Sequence, residues 1–153
     1  MIYEAKIKLD THFLGGHKRG KDGIRRLKTT YSGQIALNEN ELRRTFERAA
    51  DQLDMAFDPK TVVFPEGFDS ETSIIRRVYN RTNVDLFEGI EHGNFIHLEM
   101  ALVGDAESLP SKEDLEKILK VVGKFYGVTQ FGSKFQCGRF KVIHVVRKTK
   151  DNY

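Results

Sequence analysis

Two stretches with a helical hydrophobic period, each opened by its own cap and flanked by strand-like segments, constrain this chain more than any other feature. In the first, Asn38 stands at an N-cap position and Glu41, three residues on, completes a capping box. Leu42, Phe46, Ala49, Ala50 and Leu53 then recur at helical spacing, with Glu41, Arg44, Glu47, Arg48 and Asp51 on the other side. Asp58-Pro59 ends the pattern. In the second, Ser111 is the cap and Asp114 its partner. Leu115, Ile118, Leu119, Val122 and Tyr126 make the stripe, and Gly127 is the stop. Both apolar stripes need a sheet to cover them.

The rest of the chain supplies strands. Residues 2–9 alternate, with Tyr3, Ala5, Ile7 and Leu9 on one side and Glu4, Lys6 and Lys8 on the other. Residues 10–24 scatter Gly15, Gly16, Gly20 and Gly23 among basic side chains and predict a long loop. Further strands are predicted at 25–31, 61–64, 74–79 and 138–146. Residues 84–90 and 94–103 flank His92-Gly93, which predicts a tight hairpin. In 94–103, Ile96, Leu98, Met100 and Leu102 point one way, and Phe95, His97, Glu99 and Ala101 the other. The order strand, strand, helix, strands, helix, strand predicts an α+β two-layer sandwich: a mainly antiparallel sheet with two helices on one face. Its core is expected to be ferredoxin-like, β-α-β-β-α-β, with an N-terminal hairpin elaboration over 10–33, all in a single domain spanning 1–153.

Hydrophobic residues at 39% suffice for a core of this size, and charged residues at 31% exclude a disordered, one-signed composition. The longest apolar run is Met100-Ala101-Leu102-Val103, against about 20 residues for a membrane span, so no transmembrane helix is expected. The opening MIYEAKIKLD has no apolar signal core and does not read as a secretory leader. The single cysteine, Cys137, excludes an internal disulfide and any multi-cysteine metal site, and a cytoplasmic setting is expected.

Net charge is only +3, from 25 Lys and Arg against 22 Asp and Glu, but the charge is clustered. Lys18, Arg19, Lys21, Arg25, Arg26 and Lys28, with His17, face the lone acid Asp22. Lys134, Arg139, Lys141, Arg147, Lys148 and Lys150 precede any acid in the tail. If the two basic ends meet in space, they make one positive face that attracts phosphate.

The glycines at 15–23 let backbone approach a ligand, but Gly15-Gly16-His17-Lys18 has neither Walker nor dinucleotide spacing. A second array, from Gly123 through Gly127 and Gly132 to Gly138, interleaves Phe125, Tyr126, Phe131 and Phe135 with Lys134 and Arg139. Mobile backbone, aromatic faces and cations suit single-stranded nucleic acid; packing of these phenylalanines into the core is the competing reading. The expected binding residues are therefore Lys18, Arg19, Lys21, Arg25, Arg26, Phe131, Lys134, Phe135 and Arg139. His12 and His17 are candidates for acid–base work on RNA, or plain surface residues. His97 and Glu99 share a strand face without a third ligand, and His144 reads as a sheet residue, so neither a metal nor a cofactor is called for. Lys134 and Arg139 are expected to lower the Cys137 thiol pKa unless Cys137 simply packs. No catalytic nucleophile motif is present.

Three phrases together resemble the RAMP superfamily of CRISPR-associated RNA-binding proteins. Lys8-Leu-Asp-Thr-His-Phe-Leu-Gly-Gly16 is similar to that family's opening strand and Gly-Gly loop. The stretch from Asn40 to Ala50 is similar to its Leu-Arg-rich helix, and Gly123 to Val142 to its glycine loop running into a strand. The resemblance implies a ferredoxin-like core that binds RNA along its sheet and glycine loop; for members that cleave RNA with a loop histidine, His12 or His17 would be the counterpart. The chain is short and its glycine array lacks the family's denser G-x-G ending, which points to a compact phage or mobile-element relative that binds without cleaving. The expected function is a non-catalytic accessory protein binding RNA or another single strand. The alternatives are a phage-type inhibitor or assembly module with a protein partner or a second copy of itself, and a metal-independent ribonuclease. No membrane partner is expected.

Overall fold

The computed structural model describes residues 1–16, 19–70, 73–79, 84–130 and 137–148. β1 (Ile2–Leu9) realises the first alternation: Tyr3, Ala5, Ile7 and Leu9 are buried while Lys8 faces water. After the short strands β2 (Phe13–Leu14), β3 (Ile24–Arg25) and β4 (Ile35–Ala36) comes helix α1 (Glu39–Gln52). The Asn38 side chain accepts the Glu41 N–H at 3.2 Å, and Leu42, Thr45, Phe46, Ala49 and Ala50 form the buried stripe. β5 (Val62–Val63), β6 (Gly67–Phe68), β7 (Ile74–Tyr79), β8 (Val84–Ile90) and β9 (Phe95–Leu102) follow. Helix α2 (Lys112–Val121) is capped by Ser111, which accepts the Asp114 N–H at 3.1 Å, and β10 (Phe140–Lys148) closes the order.

The main sheet runs β10-β1-β9-β5, every pairing antiparallel. β1–α1–β5 is a split unit with β9 inserted between its strands, and β9–α2–β10 is another with β1 inserted. These two interleaved units are the β-α-β-β-α-β arrangement that the order of elements predicts. Both helices bury their stripes in one core with the inward residues of β1 and β9, at about 1.5–3 kcal/mol for each large apolar side chain removed from water. The opposite face of the sheet carries neither helix.

Two details depart from the sequence reading. β8 and β9 are not a hairpin: β9 pairs with β1 and β5, whereas β8 pairs with β7 along one edge and with β2 and β3 along the other. The turn at His92-Gly93 is real, with Gly93 at φ 86, but it passes the chain from the second sheet into the first. The 10–33 segment is an elaboration, yet β2 and β3 pair with β8 and not with each other; within it an antiparallel bridge, Arg19 to Arg25, closes a tight turn. Strand β3 covers only the start of the run at 25–31. Past Arg25 the Leu27 N–H goes to the Glu88 side chain at 2.9 Å and the Lys28 N–H to the Gln130 side chain at 2.7 Å, and Lys28 and Thr30 bond the backbone of Ala36 and Gln34 instead of β8. No helix among the described residues is long and apolar enough to cross a membrane.

Candidate nucleic-acid interface

The glycine-rich basic loop is folded down onto acids. Asp85, only 7% exposed, receives Arg19 in a charged hydrogen bond and lies 3.8 Å from Arg25, whose guanidinium also stands 5.8 Å from the Phe87 ring. A carboxylate this buried has to be met by cations. Arg26 pairs with Asp22 at 2.8 Å, and that hydrogen bond, with the Ile24 amide, holds the Asp22 carboxyl below its ordinary range. Of the residues expected to meet phosphate, Arg19, Arg25 and Arg26 thus shape the loop, while Lys21 is exposed with no ion pair among the described residues. Lys18, Phe131, Lys134 and Phe135, like His17, lie outside the described residues.

The two glycine arrays do come together. Gln130, 4% exposed, accepts the Gly16 N–H at 3.2 Å and the Lys28 N–H at 2.7 Å, and donates to the carbonyls of Lys28 at 2.7 Å and Ala36 at 2.8 Å. Nearby, Gly138 donates to the His12 carbonyl at 2.8 Å and accepts the Val128 N–H at 2.9 Å. Gly138 has φ 66, and a Cβ there would run into the Val128 carbonyl, so this crossing requires glycine. Cys137 packs against Leu14 and Phe87, and burial pushes its thiol up to about 11. Desolvation, not neighbouring cations, sets its chemistry, which reverses the expectation of a lowered pKa.

The histidines divide. The His12 ring Nδ1 accepts the His92 N–H at 3.0 Å, and the two rings lie 4.9 Å apart. Burial first, then the charges of Arg76 and His92, push the His12 pKa down. An accepting Nδ1 fixes the neutral tautomer with its proton on Nε2. His97 instead lies 3.3 Å from Glu4, and His144 is exposed on β10.

The cations that stand together in the open are on the uncovered face of the main sheet. Register places Lys8 between Lys141 on β10 and Phe95 on β9, and Lys6 between His144 and His97. Phe95 is 49% exposed, with the Lys6 ammonium 4.5 Å and the Lys8 ammonium 5.9 Å from its ring centroid. Farther along the strands the face is self-neutralised. Lys148 meets Glu4 at 3.1 Å and Glu99 at 3.5 Å. Burial would raise the Glu4 carboxyl, but Lys148 and His97 together hold it lower than usual. No protein-family model and no curated protein matches this chain.

Sequence reasoning passed over Phe95, Lys6, Lys8 and Lys141 as a group, although the alternation at 2–9 and 94–103 already put Lys6, Lys8 and Phe95 on the outward side. A phenylalanine on the solvent side of a strand, beside His97 and Glu99, was the available signal. Arg139, the remaining expected residue, stands beside this face. Its backbone N–H donates to the Thr11 hydroxyl at 2.9 Å, its carbonyl accepts the Asp10 N–H at 2.7 Å, and it borders a cavity against α2. Among the described residues no three His, Cys, Asp or Glu side chains are grouped to hold a metal ion.

Proposed function

We propose that this chain is a non-catalytic binder of single-stranded nucleic acid, RNA by preference, laid across the open face of the main sheet. The observation that carries the reading is the exposed Phe95 ring of β9 with Lys6 and Lys8 of β1 against it and Lys141 of β10 on the far side of Lys8. A base stacked on an aromatic side chain contributes about 1–3 kcal/mol. The lysine contact that it displaces from the ring is worth about 0.5–1 kcal/mol at an exposed site, so the base wins and the freed ammonium turns to phosphate. Arg139 stands beside this face, and Lys21, with Lys18, Phe131, Lys134 and Phe135, supplies further contacts to the strand in the proposal. The interleaved split units and the glycine crossing are compatible with a compact RAMP-like protein, and a cytoplasmic setting suits such a ligand.

The test is fluorescence anisotropy with a labelled oligouridine. Phe95→Ala is expected to weaken binding about 5- to 100-fold with little loss of stability, since the ring is half exposed. With three or four phosphates neutralised, log affinity should fall against log salt with a slope of about 2–3. Absence of binding at low salt would end the proposal.

A further inference from the structure

Arg139 is held in place by its backbone but leaves a donor unused. Its Nε is buried with no hydrogen-bond partner among the described residues. Unmet buried donors are uncommon because each forfeits its hydration. The side chain borders a cavity of about 570 Å³ between the end of α2 and β10. Lys120 and Lys124 reach the same cavity from the helical side and Lys141 from the strand. The lone acid on its wall among the described residues is Asp10, 3.9 Å from an Lys141 side chain that is largely in water, a contact that neutralises little. Beyond Val121 the helix widens into a π turn, Val122–Tyr126. Gly123 in that turn lies directly against Phe140, where a Cβ would collide with the ring and carbonyl. Phe140 and Val142 add an apolar wall to the cations.

We infer that this cavity takes a phosphate monoester of nucleotide size: the terminal phosphate of a bound single strand. A planar guanidinium fork with surrounding ammonium groups matches a phosphate dianion, and a terminal phosphate carries more charge than an internal diester. Ligand cavities of roughly 300–1,000 Å³ hold molecules of this size, so sugar and base fit beside Phe140 and Val142. Lys141 belongs both to the cavity wall and to the open-face row with Lys8 and Phe95, so a strand end here continues onto the sheet. The inference rests on the single-strand reading of that sheet.

The experiment compares one oligouridine in three forms: 5′-phosphorylated, 3′-phosphorylated, and hydroxyl at both ends. Uridine monophosphate is titrated separately, followed by protein amide NMR. One phosphorylated form should bind roughly tenfold tighter than the hydroxyl form or better. The pair Lys120→Gln and Lys124→Gln, both exposed and outside the sheet face, should erase that preference and leave the hydroxyl form's affinity within about twofold, since the interaction lost is specific to the end. Arg139→Gln should erase the preference as well, and should also weaken the hydroxyl form because Arg139 stands beside the strand's path across the sheet. Equal binding of all three forms overturns the cavity inference and leaves the sheet reading intact. Binding of uridine monophosphate at the cavity with no oligonucleotide bound overturns the sheet reading and makes the cavity a mononucleotide site. No binding of any probe overturns both.

Discussion

Replacing Gln130 by Leu keeps the side chain's bulk and removes every hydrogen bond that it makes. Its amide is bonded to four backbone groups from three separate segments: Gly16 N–H, Lys28 N–H and C=O, and Ala36 C=O. Gly16 is buried and loses its partner without access to water, a cost of about 1–3 kcal/mol. Lys28 and Ala36 are less enclosed and rehydrate in part, so each of those bonds is nearer the net value of about 0.5–1.5 kcal/mol. The sum is about 2.5–7.5 kcal/mol, a large share of the 5–15 kcal/mol typical of a whole domain. With a urea m-value of about 2 kcal/mol/M, the unfolding midpoint should fall by about 1–4 M. Gln130→Glu should be no better, because a carboxylate cannot donate and would face two carbonyl oxygens. Urea titration followed by circular dichroism reads the result. A fall of less than about 0.5 M at unchanged m would mean that Gln130 does not fasten the two glycine arrays together.

Two further outcomes follow from the shifted titratable groups His12 and Cys137. The folded pKa of His12 is depressed, so its contribution is intact above the unfolded value of about 6.5 and is lost as pH falls from there through the folded value. Urea midpoints measured from pH 8 to 5 should drop in that window, and His12→Gln should flatten the drop; parallel curves for the two proteins would contradict this. Cys137, with its thiol near 11, should be almost inert to iodoacetamide at pH 8 in the native state and react quickly once the chain is unfolded in urea. Rapid native labelling, followed by mass spectrometry, would place the thiol in water instead.

The parts of the fold written in local pattern were legible. The alternation at 2–9, the caps Asn38 and Ser111, the strand at 74–79 and the inward set Ile96, Leu98, Met100 and Leu102 all depend on neighbours in sequence, and all stand in the structure. What failed depended on partners far away. A glycine turn at His92-Gly93 says that the chain reverses, not that the arms pair, and here β8 was taken by β7 on one edge and by β2 and β3 on the other. The basic loop read as a positive surface because Asp85, which holds Arg19 and Arg25, comes from β8, far along the chain, and no periodicity ties it to the loop. The Lys8–Phe95–Lys141 row is assembled from the register of three strands. Each residue's side of its strand was visible in the sequence; their adjacency was not.

Amide NMR mapping of a saturating oligouridine with hydroxyl at both ends on the labelled chain addresses the central claim directly. Binding to the uncovered sheet should shift Lys6, Lys8, Phe95, His97 and Lys141 together while the helical face stays unchanged. Shifts confined to α1 and α2, or an unperturbed spectrum at low salt, would contradict it.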